Sequence, residues 1–127
     1  MIGFLIGLDR PGDAIYVTGD TVWYDGVAEV AERYRPRLVI MFTGSAKTRG
    51  AIHLTMDSND AIATAHAFPE AALVAIHNEG WAHFTESEDD LARAFATLAG
   101  PPPTAAAAGR ADDSGIKAEG RPCPRPP

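Results

Sequence analysis

Cysteine is nearly missing from this chain of 127 residues: Cys123 is the single one, so no internal disulfide can form and a reducing compartment is the simplest setting. It stands between prolines near the end of the chain and is assigned no role. Positive charge is also scarce, with 11 Lys and Arg against 17 Asp and Glu and a formal charge of −6. No basic stripe interrupts that excess, which excludes a surface that displaces counterions from nucleic acid. Long apolar runs are lacking too. The opening Ile2–Leu8 is too short to span a bilayer, has no basic flank, and contains two glycines unlike a secretory signal core. These absences predict a cytoplasmic protein with neither nucleic acid nor membrane as partner.

What is present predicts one small α/β domain. From Gly100 onward the chain turns to Pro, Ala and Gly with Ile116 as its only large apolar residue, so 100–127 reads as a disordered tail and 1–99 as the folded part. Residues 2–8 and 14–18 predict two strands joined by the turn at Asp9-Arg-Pro-Gly-Asp13. Asp25 is positioned to cap a helix reaching about Tyr34, where Pro36 ends the pattern. Leu38–Phe42 and Ala72–Ile76 are unbroken apolar runs, the pattern of strands covered on both faces. Between them a loop from Thr43 leads into a helix over about 57–68, with Thr55 or Asp57 as cap. Ser87 and Asp90 open the last helix in a capping-box pattern, with Leu91, Ala94, Phe95 and Leu98 at helical spacing.

The order ββαβαβα implies a sheet whose later strands are parallel. Three helices cover about one face and part of another, so an apolar sheet face is expected to need some further cover.

Two residues stand where such a sheet presents chemistry, at the carboxyl ends of strands. Asp20 follows Tyr16-Val-Thr-Gly, and His77 follows Ala72–Ile76. An aspartate after glycine also serves turns, and a histidine after an apolar run also serves cores. Together, a carboxylate and an imidazole suit a divalent metal ion such as zinc. Lys47 and Arg49 in the first long loop read as solvated charges rather than an anion site. No Gly-x-Gly-x-x-Gly follows a strand and no Asp-x-Asp occurs, which sets aside a dinucleotide fold and a haloacid dehalogenase-type phosphatase.

Tyr16–Thr21, then Leu54-Thr-Met56 before a helix, then His77-Asn-Glu-Gly-Trp-Ala-His-Phe-Thr-Glu86, resemble the carboxyl-terminal half of metallo-β-lactamase-fold hydrolases, in the branch similar to L-ascorbate 6-phosphate lactonase. The resemblance covers roughly residues 2–99. It implies half of an αββα sandwich, with Asp20 bridging two divalent ions, zinc or manganese, and His77 binding one of them. It further implies activation of water to hydrolyse an ester, lactone, amide or phosphoester in a small-molecule substrate. Thr21, Trp81, His83 and His53 would stand around such a site, with packing the leading role for Trp81 and His83, and His53 a candidate third ligand.

The family's His-x-His-x-Asp-His cluster does not occur in the sequence. The chain is therefore expected to be a fragment, inactive alone, that pairs with a missing amino-terminal half or with itself through the exposed sheet face. The alternative is a non-catalytic interaction module using that same face.

Overall fold

A computed structural model describes residues 2–7, 10, 12–98, 100 and 104–105. The first two apolar runs pair antiparallel as β1 (Phe4–Ile6) and β2 (Ile15–Val17), with Phe4 opposite Val17. A bond from the Asp13 N–H to the Arg10 carbonyl, 3.1 Å, lies in their turn. Leu8, Asp9 and Pro11, which the sequence reading places in the first strand and turn, lie outside the described residues.

Helix α1 (Asp25–Tyr34) follows, then β3 (Leu38–Phe42), α2 (Ser58–Ala67), β4 (Ala72–Ile76) and α3 (Glu88–Leu98). Strands β2, β3 and β4 run parallel, joined by helical crossovers as the alternating pattern requires. Asp25 does not cap α1: it is the first helical residue, Tyr24 holds the cap position without a side-chain bond, and the carboxylate instead complements the positive end of the helix. Asp57 caps α2, its Oδ1 accepting from the Asp60 N–H at 2.9 Å, while Thr55 turns inward to bond Thr43 and Ala46. At α3 the expected box forms in both directions, Asp90 N–H to Ser87 Oγ and Ser87 N–H to Asp90 Oδ2.

All three helices pack on one face of the sheet. Tyr16, Val39, Met41 and Ala75 project from that face to meet Val27 of α1, Ala61 and Ile62 of α2, and Leu91 and Phe95 of α3. The expectation that β3 and β4 are covered on both faces is corrected here. Burial alternates along β3, with Val39 and Met41 at 0% exposure between partly open Leu38, Ile40 and Phe42. An unbroken apolar run is compatible with double burial but does not require it, because alternate residues answer to different neighbours. The register lines up Phe4, Val17, Ile40 and Val74 in one row across the opposite face, with Ile15 and Leu38 in the next and Phe42 beside Ile76. None of these is buried.

The sheet also has a fifth strand, β5 (Thr104–Ala105), parallel to β4, so the element order is ββαβαβαβ. The boundary at residue 99 is thereby corrected: order reaches into the stretch read as tail. Strand pairing uses backbone groups, which an edge such as β4 offers regardless of side-chain composition. Apart from Gly100, the rest of that predicted tail, Cys123 included, lies outside the described residues.

Candidate functional site

The carboxyl ends of β2 and β4 bring Asp20 and His77 close together. After β2 the chain passes through Thr18, whose N–H bonds the Ile40 carbonyl and whose Oγ1 accepts from the Phe42 N–H, both at 3.0 Å. These bonds tie the strand end to β3 before the turn at Gly19. That turn requires glycine: φ is +65°, and a Cβ would overlap the Ile2 carbonyl oxygen. It delivers Asp20 to the surface, with a side chain 61% exposed.

His77 arrives from β4. Its backbone adopts a left-handed conformation, φ +63°, which is uncommon outside glycine and turns the chain sharply as the strand ends. Its Nδ1 lies 3.7 Å from Oδ1 of Asp20. That is too long for a hydrogen bond. It is close to the ~3.3 Å that separates two donors holding one zinc ion at ~2.0–2.1 Å with tetrahedral angles. The pair therefore has the spacing and chemistry for one divalent ion, but supplies two donors. Among the described residues no group of three or more His, Cys, Asp or Glu side chains is placed to hold a metal, and a catalytic zinc site takes three protein ligands.

His53 belongs to a different cluster. Its Nδ1 is 2.9 Å from Ser45 Oγ and 4.0 Å from Asp57 Oδ2. Asp60 completes the group: burial and the neighbouring Asp57 raise its carboxyl above the ordinary range, while backbone N–H bonds from Trp23 and Asp57, and His53, act against that rise.

Thr21 is buried, its hydroxyl donating to the Val22 carbonyl. Trp81 corrects the expectation of packing: it is 66% exposed. The loop that carries it is held by backbone bonds, so the indole is not needed as an anchor. The His83 ring lies tilted against those of Trp81 and Phe84, with ring centroids 5.8 and 4.8 Å away, and its carbonyl accepts from the Lys47 N–H. Neither Lys47 nor Arg49 makes an ion pair among the described residues.

Sequence reasoning missed the surroundings of His77. Phe42 and Phe84 each place a ring 5.0 Å from the imidazole. Beside the same loop lies an open cleft of about 510 Å³ lined by Asn78, Trp81, Phe84 and Glu86, among others. Another cavity, about 350 Å³, sits at the far end of the strands near Arg35, Pro36 and Phe68. The one available signal was Gly44, a glycine two residues past a strand end.

No described helix is long and apolar enough to cross a membrane. No family model matches the chain. It is 30% identical over 94 residues to UPF0173 protein YddR of Bacillus subtilis, covering 72% of this chain and 37% of that protein. Among solved structures, it resembles an isothiocyanate hydrolase from Delia radicum gut bacteria (26% identity, TM-score 0.67). It also resembles a possible metal-dependent hydrolase from Veillonella parvula (29%, 0.66). Each match covers 75% of this chain and 36% of the other. The metallo hydrolase Igni18 from Ignicoccus hospitalis shares the fold at 18% identity and a TM-score of 0.51, over 65% of this chain and 33% of its own. The chain thus spans little more than a third of the relatives it matches. Its structural neighbours are hydrolases, and its mixed α/β fold matches the carboxyl-terminal half of a metallo-hydrolase fold.

Proposed function

We propose that this chain is part of a metal-dependent hydrolase of the metallo-β-lactamase superfamily, and that Asp20 and His77 are its share of a two-metal site. The observation that carries the reading is the 3.7 Å approach of a carboxylate and an imidazole that arrive from different strands.

When bound, two divalent ions such as zinc or manganese would supply a nucleophile from water at neutral pH and polarise the bond being broken. The chain's own contribution is to present one oxygen donor and one nitrogen donor at fixed separation. The remaining ligands would come from a segment corresponding to the other two thirds of the relatives, packed on the open sheet face. On this reading the chain alone is inactive. Its substrate is a small molecule with a hydrolysable ester, lactone, amide or phosphoester bond, as in the lactonase branch, or an electrophilic carbon such as that of an isothiocyanate.

Metal content tests this. The full chain, Asp20→Ala and His77→Ala are each dialysed against zinc or manganese and measured by mass spectrometry. Uptake by the parent chain and its loss in both variants is expected; equal uptake by all three removes the assignment.

The apolar rows on the open face favour a second reading, an interaction module that pairs through that face. Sedimentation decides it: a monomer that binds no hydrophobic dye would defeat it.

A further inference from the structure

An imidazole that binds a metal is ordinarily oriented by a hydrogen bond from its other ring nitrogen to a carboxylate or carbonyl. Among the described residues the ring of His77 makes no hydrogen bond; its polar neighbour is Asp20 at 3.7 Å. Two aromatic rings take that place. Phe42 lies 5.0 Å away, tilted by 37°, and Phe84 lies 5.0 Å away, edge-on at 75°. They come from different elements, the end of β3 and the loop after β4, so the imidazole is held between rings that are themselves fixed independently.

The fixing is visible in the backbone. Gly44 has φ +89°, and a Cβ there would come within 2.8 Å of the Asn78 Cα, 3.0 Å of the His77 carbonyl and 3.1 Å of Phe84 Cδ1. The missing side chain is thus the seat into which the His77 turn and the Phe84 ring both fit. The Gly44 carbonyl accepts from the Thr85 and Glu86 N–H groups, and Thr85 Oγ1 donates to the Ser45 carbonyl at 2.8 Å. The Thr43 N–H bonds the Ile76 carbonyl at 2.9 Å. These bonds rivet the two loops together on both sides of the histidine. The left-handed backbone of His77, costly for a side chain of this kind, persists because its surroundings over-determine it.

We propose that Phe84 and Phe42 are positioning residues for His77, an aromatic clamp seated on Gly44 that substitutes for the usual hydrogen bond and keeps Nδ1 turned toward Asp20. The clamp acts through another residue and touches no reacting atom. Its metal-affinity consequence rests on the function proposed above; its structural consequence does not.

The test uses the full chain with Phe84→Leu, which removes the ring and keeps apolar bulk, and Phe84→Tyr, which keeps the ring. Nuclear Overhauser contacts and side-chain couplings of the His77 imidazole, assigned with His77→Gln, read its rotamer. One rotamer is expected in the parent chain and in Phe84→Tyr, and averaging over several in Phe84→Leu. Zinc affinity should fall roughly ten-fold in Phe84→Leu and stay within about two-fold in Phe84→Tyr, in line with lost outer supports of metal ligands. If Phe84→Leu does not fold, Phe42→Leu, on the open face, provides the same rotamer reading. An unchanged His77 rotamer in the folded leucine variant would overturn the clamp. So would equal affinity losses in the leucine and tyrosine variants. A parent chain that takes up no zinc would sink the metal reading alone, leaving the His77 rotamer to decide the clamp.

Discussion

Met41 and Ile40 are adjacent in β3 and lose the same number of heavy atoms on truncation to alanine, yet they face opposite ways. Met41 is fully buried beneath the helices, whereas Ile40 is partly open on the other face. Removing the Met41 side chain takes apolar atoms from a closed environment and leaves a cavity. At ~0.8 kcal/mol per buried methylene plus the cavity contribution, the loss is about 2–4 kcal/mol. That is a large fraction of the ~5–15 kcal/mol that holds an ordinary domain together. Ile40→Ala leaves no closed cavity, and its cost should be about 1 kcal/mol, mostly the weaker fit of alanine to a pleated strand. Urea unfolding followed by tryptophan fluorescence and circular dichroism measures both, at two protein concentrations tenfold apart. The two losses should differ by more than about 1 kcal/mol. Equal losses independent of concentration would refute the one-sided core, and equal losses that grow with concentration would mean that copies of the chain cover the open face.

Two further outcomes are expected. Glu86 caps α2 from outside the helix, its Oε2 accepting from the Ser58 N–H at 2.8 Å and from Ser58 Oγ. Glu86→Ala should cost about 1–2 kcal/mol in unfolding free energy. Glu86→Gln, which keeps an acceptor but loses the charge at the helix start, should cost only ~0.3–1 kcal/mol. An alanine variant no less stable than the glutamine variant would refute that cap. Asp90 is held below the ordinary carboxylate range by the Ser87 N–H and hydroxyl, with Arg93 adding to the effect. A carboxyl depressed by folding contributes stability above its unfolded value, ~3.9, that is lost as pH falls through the folded value. Asp90→Asn should therefore flatten the decline of the urea midpoint below about pH 4. A decline as steep as in the parent chain would refute that assignment.

Much of the site was legible because it depends on local patterns. Strand runs that stop on Asp20 and His77 mark the ends where an α/β sheet exposes chemistry, and Ser87 with Asp90 announces a helix start. The neighbours of His77 were not legible. Phe42 reads as one more apolar strand residue and Phe84 as one more loop aromatic, and only the approach of two loops over Gly44 makes them a pair. His53 was ambiguous for the same reason, since nothing in a loop histidine's sequence setting says that Ser45 and Asp57 will lie beside it. Trp81 misled because a large aromatic ring is ordinarily an anchor, whereas here backbone bonds already hold the loop.

Local propensity and hydrophobic period settled which segments are strands and helices, because backbone geometry imposes those periods on any chain that buries one side. They could not settle which side. An apolar run such as Leu38–Phe42 fits a strand covered on one face or on both, and the tertiary structure decided it by stacking every helix against Val39 and Met41. Nor could composition foresee β5, because the β4 edge recruits a neighbour through main-chain groups that every residue but proline carries in full.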